Sequence, residues 1–217
     1  METVPDIKTL PQVFCARLSD YAQLIKMRLS FLVVFSAAMA YLWATQRNVD
    51  ALTIWLLSIG GFLITGSSNI LNQIIEVKSD ALMKRTSNRP LPDKRLNVKE
   101  AIALSIILGA SGLYILFNIN FLCMSLGILA MFLYVCVYTP LKKITRLSVL
   151  PGAIAGSLPV VIGWTAATGA ISQGALFLFL IQFIWQFPHT WSIAWLLSDE
   201  YKMAGLKMLP TSEKNRS

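Results

Sequence analysis

Six stretches of this chain, residues 29–45, 51–71, 101–117, 121–139, 147–168 and 175–197, contain no Lys, Arg, Asp or Glu. A bilayer core about 30 Å thick calls for roughly 20 mostly apolar residues per spanning helix. Inside hydrocarbon the backbone must satisfy its own hydrogen bonds, and a helix does so within one segment. The pattern therefore predicts an all-α polytopic membrane bundle with six transmembrane helices, as a single domain over residues 1–217. The first and third stretches are short and are expected to extend into their flanks. Composition agrees: 55% of residues are hydrophobic and 14% charged, where soluble domains carry about 25% charged residues. An ordinary water-soluble globule and a disordered chain are both excluded.

The charges lie on one side of this arrangement. Of 19 Lys and Arg residues, 18 fall in the N-terminal segment, the connections after the second and fourth stretches, and the C-terminal segment; Arg47 is the exception. The positive-inside bias places both termini in the cytoplasm. It also explains the net charge of +8 by topology and contact with anionic membrane lipid, with no nucleic-acid partner. The first 28 residues lack a short apolar core, so no signal peptide is read there. No transit peptide is visible either, and a bacterial inner (plasma) membrane is the expected location. Cys15, Cys123 and Cys136 have no metal-ligand spacing and read as packing residues.

The outer connections, 46–50, 118–120 and 169–174, are too short to build a site. The inner ones are longer, and ten of the 11 acids lie there. Chemistry is expected at the cytoplasmic mouth of the bundle. In the loop after the second stretch, Asn72, Glu76 and Asp80 are spaced four apart. If the helix continues past the membrane edge, all three share a face. Two carboxylates and a carboxamide suit a hard cation such as Mg²⁺, which keeps waters and substrate phosphates as its other ligands. Lys84, Arg85 and Arg89 follow, and guanidinium forks bind phosphate oxygens. Pro90 and Pro92 are expected to end the helix. A solvated loop that merely obeys the positive-inside rule is the competing reading of the same charges.

Asn72-x3-Glu76-x3-Asp80-x4-Arg85-Thr86-x2-Arg89-Pro90 resembles the first acidic motif of the UbiA-type intramembrane prenyltransferases. Gln73 and Glu76 make it more similar to the haem O synthase branch (protohaem IX farnesyltransferases) than to the quinone-ring branch. Ser79 and Lys94 depart from the usual pattern, but neither is a proposed ligand. Tyr138-Thr139-Pro140-Leu141-Lys142-Lys143-x-Thr145 resembles a further family segment, by which Lys142 and Lys143 belong to the diphosphate site. From the residues alone it reads equally as an aromatic belt, a helix stop at Pro140 and topogenic lysines. In the fifth stretch, Gly152 and Gly156 form a pair that permits close helix contact, and Pro159 can free a backbone carbonyl.

The sixth stretch places Gln182, Gln186 and His189 in an apolar run. Polar groups there mark a site, unless a neighbouring helix simply satisfies them. The string from Trp185 through Asp199, Glu200 and Tyr201 to Pro210 looks like the haem O synthase form of the second acidic motif. The resemblance implies transfer of a farnesyl group from farnesyl diphosphate to a vinyl group of protohaem IX (haem b). Water adds as well, and the products are haem O and diphosphate. It implies Mg²⁺ on Asn72, Glu76 and Asp80 with Asp199 and Glu200, and diphosphate on Arg85, Arg89, Lys142 and Lys143. It implies His189 as a residue that orients haem or handles the water. Tyr138, Trp164, Gln186, Trp191 and Tyr201 are the expected acceptor and cation pocket, with Trp185 and Phe187 as further aromatic faces.

Haem A synthase or terminal oxidase assembly are the implied partners. Family members normally have eight or nine spans in two four-helix halves, so a chain with six is expected to be C-terminally truncated or to need another polypeptide. The competing functions are prenyl transfer to an aromatic quinone precursor or chlorin, and a non-catalytic haem-binding or transport module. Walker loops, dinucleotide glycine motifs, CxxCH haem attachment and nucleophile elbows are absent.

Overall fold

The computed structural model describes residues 10–46 and 48–208. Arg47 and the polar ending from 209 onward, with Pro210, lie outside the described residues. Those described form helices without strands: α1 (Leu10–Ile25), α2 (Met27–Thr45), α3 (Ala51–Asp80), α4 (Val98–Phe117), α5 (Phe121–Phe132), a π turn (Leu133–Tyr138), α6 (Thr139–Ile144), a 3-10 turn (Arg146–Ser148), α7 (Val149–Thr168), α8 (Gln173–Leu196) and α9 (Ser198–Met203). The starts of three helices are written locally. Asp50 accepts from the Leu52 and Thr53 amides at α3, Asn97 from Lys99 at α4, and Asn120 from Cys123 at α5. Asp50 thus pairs two, and Asn97 and Asn120 one each, of the amides that a helix start leaves without a partner.

Among the described residues, five helical segments are long and apolar enough to cross a membrane: Met27–Thr45, Ala51–Asp80, Val98–Phe117, Phe121–Ile144 and Arg146–Thr168. The sixth expected span, α8, has 24 residues but does not meet that measure. Gln182, Gln186 and His189 dilute its apolar run. The first and third expected spans do extend into their flanks, as α2 and α4. Large apolar side chains such as Phe35, Trp55, Ile106 and Tyr114 face outward, which suits lipid and would be costly in water.

The bundle closes where glycines let backbones approach. α3 and α4 meet at Gly112, where a Cβ would stand 2.9 Å from the Gly60 carbonyl oxygen. α2 and α7 meet at Gly163, where it would stand 1.9 Å from the Ala37 oxygen. The main core lies between α2, α3, α4, α5 and α7, around Tyr41, Leu57, Leu116 and Leu158. A second, smaller core of Leu24, Ile70, Leu91, Leu96 and Ala101 sits under the loop 81–97.

Helix α3 positions the site by its length. Thirty residues at about 1.5 Å each give roughly 45 Å, well beyond a 30 Å core. Its last turns therefore project past the apolar layer. It ends at Asp80, ten residues before Pro90, so the prolines do not terminate it. Past its end the Asp80 carbonyl accepts from the Thr86 hydroxyl at 2.8 Å and from the Met83 amide at 3.3 Å. Pro90 instead offers its carbonyl to the Arg95 and Leu96 amides in a turn.

Pro140 likewise does not stop its helix. The amide of Thr139 reaches back to Tyr134 across the wider π turn. Pro140 then falls in the first turn of α6, where its missing N–H costs nothing. Pro159 stays inside α7.

Candidate active site

Asn72, Glu76 and Asp80 share one face of α3 and are 2%, 6% and 1% exposed. Buried charge must be paired or it is costly, and each carboxylate has a cation from another element. Glu76 Oε1 lies 2.6 Å from Lys142 Nζ, and Asp80 Oδ2 accepts from Arg89 at 2.6 Å. Asn72 Nδ2 donates to Glu76 Oε2 at 2.9 Å and to Thr139 Oγ1 at 3.0 Å. Thr139 in turn donates to the Tyr134 carbonyl. Lys142 Nζ also stands 4.7 Å above the Tyr138 ring, and Tyr138 stacks on Tyr134.

The π turn thus places two tyrosines and a threonine against the acidic face of α3. Wider turns of this kind often mark functional sites. Lys26, between α1 and α2, donates to Asn72 Oδ1 at 3.4 Å. Burial, and secondarily the neighbouring Arg89 and Lys142, push its pKa down to about 8; Glu76 and Asp80 oppose the shift.

The second motif folds over the first. The Arg85 amide donates to Glu200 Oε2 at 3.5 Å, and the Lys207 amide to the Lys142 carbonyl at 2.7 Å. Tyr201 lies in the field of Arg85, Lys142 and Arg89; burial raises its hydroxyl pKa, and those cations counter it. Asp199 and Lys143 are exposed and are not drawn into the cluster. Among the described residues, no group of three or more His, Cys, Asp and Glu stands ready to hold a metal ion.

Behind the cluster, between α2, α3, the π turn, α7 and α8, lies a cavity of about 450 Å³. Asn69, Tyr134, Tyr138, Gly156, Gln186 and His189 are among its lining. Glycines make room for the polar wall. A Cβ at Gly152 would stand 2.8 Å from the Tyr138 ring, and one at Gly156 would stand 2.6 Å from Gln186 Nε2. The expected close contact at this pair is therefore side chain into groove. His189 stacks with Trp185 at 6.3 Å, and both line the cavity.

Trp164 does not belong to the pocket. It stands one residue past Gly163 and packs its indole against Gly174 at the start of α8, toward the opposite end of the bundle. Trp191 and Phe187 pack on each other at 5.6 Å, and neither lines the cavity. Sequence reasoning passed over Lys26, Tyr134, Thr139 and Asn69. Lys26 was visible only as one basic residue ahead of a span.

Residues 33–217 match the UbiA prenyltransferase family. The chain belongs to that family. It is 47% identical to the protoheme IX farnesyltransferase of Christiangramia forsetii over 92% of this chain and 66% of that protein. It is 43% identical to the protein of the same name from Flavobacterium psychrophilum, over 100% of this chain and 70% of that one. It thus spans about two thirds of the length of the curated relatives it matches. A UbiA homolog from Archaeoglobus fulgidus, solved with GPP and Mg²⁺, has the same fold: TM-score 0.76 at 20% identity, covering 88% of this chain and 68% of that one. Digeranylgeranylglyceryl phosphate synthase gives a TM-score of 0.77 at 19% identity, over 90% and 68%. As a UbiA family member the chain is an integral membrane protein.

Proposed function

We propose that this chain carries out prenyl transfer of the protohaem IX farnesyltransferase type, making haem O from farnesyl diphosphate, haem b and water. A buried acid–base cluster that adjoins a cavity of mixed apolar and polar lining, through Tyr138 under Lys142, supports it. Ligand pockets commonly enclose about 300–1,000 Å³, and the cavity here falls in that range at about 450 Å³. The relatives' names favour haem over a quinone precursor as acceptor.

The donor set fits magnesium, since Asn72, Glu76 and Asp80 offer buried oxygen atoms on one helix face. Bound there, Mg²⁺ would supply neutralisation of the charge growing on the leaving diphosphate. The remaining work falls to the chain's own side chains. Arg89, Lys142 and Arg85 present cations to the diphosphate oxygens. The C1–O bond breaks with its electron pair going to diphosphate. The vinyl π electrons form the new C–C bond, and the cation left on the haem substituent takes a water oxygen and loses a proton. The apolar walls keep water from the allylic cation before that step. Tyr134 and Tyr138 offer ring faces, each worth about 0.5–2 kcal/mol to a cation. Gln186 and His189 form the polar wall against which haem is held.

We read residues 1–217 as one domain in a bacterial inner membrane, with termini and acidic cluster on the cytoplasmic side. Haem A synthase or an oxidase assembly factor would receive the product. Membranes from cells expressing this chain, extracted and resolved by mass, should contain hydroxyethylfarnesyl haem. Haem b alone, where the Flavobacterium psychrophilum relative yields the farnesylated product, would sink this reading for the chain. His189→Ala is expected to lower haem O yield more than about tenfold, on the scale of a lost orienting contact. It should leave binding of inorganic diphosphate unchanged in calorimetry. A fall in diphosphate affinity would move His189 out of the haem subsite.

A further inference from the structure

We infer that the break between α1 and α2 is a built part of the active site. It delivers Lys26 as a further diphosphate-binding cation, and Asn69 and Gln73 of α3 clasp the break open. The inference rests on the diphosphate site proposed above.

α1 ends at Ile25 and α2 begins at Met27. Lys26 between them has φ 55° and ψ 58°, a left-handed conformation that non-glycine residues seldom adopt. Such a residue persists only when its surroundings hold it. Here the surroundings are explicit. Interrupting a helix strips carbonyls of their partners, and side chains from α3 supply them. Gln73 Nε2 donates to the Leu24 carbonyl at 2.6 Å. Asn69 Nδ2 donates to the Ile25 carbonyl at 3.1 Å, and Ser30 donates to the same oxygen at 3.0 Å. Gln73 and Asn69 are 0% and 2% exposed, so these bonds form away from water, where an unpaired amide would be costly.

Asn69 and Gln73 are one turn apart, and Asn72 and Glu76 alternate with them along α3. One helix therefore clasps the break and carries the acids. The left-handed residue aims its ammonium at Asn72 Oδ1, 3.4 Å away. Lys26 also feels Arg89 and Lys142 electrostatically. Three cations from three separate elements converge on the acidic face. Arg89 and Lys142 each have a carboxylate partner; the contact of Lys26 is to a neutral carboxamide. Its charge is thereby the least committed of the three and suits a ligand oxygen.

The test is calorimetric titration of inorganic diphosphate into the purified full chain in lipid nanodiscs with Mg²⁺ present. Lys26→Met is expected to weaken binding about tenfold or more, the loss expected for a charged hydrogen bond, while Lys26→Arg keeps most of the affinity. Gln73→Leu is expected to weaken binding as Lys26→Met does, because the clasp acts through Lys26. Combining Gln73→Leu with Lys26→Met should add little further loss. Unchanged affinity in Lys26→Met, with Arg89→Met weakened, overturns the inference and leaves the diphosphate site standing. Equal losses in Lys26→Met and Lys26→Arg, with both thermal midpoints lowered, assign Lys26 a purely structural role and overturn it too. No binding by the unaltered chain overturns the site itself, and the inference with it.

Discussion

Asp80→Asn is expected to cut haem O formation by at least about 100-fold, the scale on which single electrostatic contributors to a transition state act. The side chain is 1% exposed and its Oδ2 holds Arg89 at 2.6 Å. Asparagine keeps the shape and removes the charge, so the group that both fixes the arginine and offers a hard anionic donor is lost. Breaking one side of a buried ion pair costs about 3–5 kcal/mol when the other charge stays buried. The Arg89 side chain retains 21% exposure, which lets it turn toward water and keeps the structural cost below that range. The loss should therefore show in product per inserted protein, with insertion itself preserved. Asp93→Asn is the matched control. Asp93 is half-exposed and pairs with Arg95 at 2.9 Å on the outside of the same loop, and surface pairs contribute about 0–1 kcal/mol. Similar yields from the two variants would remove Asp80 from the chemistry.

Gly163→Ala is expected to destabilise the protein by about 3 kcal/mol, the upper range for overpacking, and to abolish the cavity with it. The added Cβ would stand 1.9 Å from the Ala37 carbonyl oxygen and 2.8 Å from its carbon. Both obstructing atoms are backbone, so no rotamer change relieves the clash, and α2 must move off α7. These helices form two of the cavity's walls, so their separation also lets water in. Gly61→Ala provides the comparison, because its Cβ would meet only Val34 Cγ2 at an ordinary 3.7 Å. Thermal unfolding in detergent should show a much lower midpoint for Gly163→Ala and little change for Gly61→Ala. Matching midpoints would mean that the α2–α7 contact is looser than described.

The helical layers and the acidic face are legible from the residues alone. Charge-free runs of about 20 residues admit one kind of structure in a bilayer, and a spacing of four puts Asn72, Glu76 and Asp80 on one side of any helix. Both signals are local and survive without knowledge of the neighbours. Their limits are local as well. Pro90 and Pro140 read as stops, but α3 ends at Asp80, well ahead of Pro90, and a π turn leads into the short helix that takes in Pro140. Gln182, Gln186 and His189 lower the mean hydropathy of α8, so the run that reads as a sixth span is not among the five helical segments long and apolar enough to cross a membrane.

Which cations meet which acids depends on how the helices pack. Lys142 lies 66 positions from Glu76 and Lys26 lies 46 from Asn72; nothing in the intervening residues encodes those pairs. They exist because Gly112, Gly152, Gly156 and Gly163 let helices and side chains approach, and because a left-handed break and a π turn aim the side chains. The same packing sent Trp164 to the opposite end of the bundle and brought Tyr134 to the cavity. Periodicity assigns a residue to a face, but contact between faces depends on interhelical distance, which close packing of side chains sets.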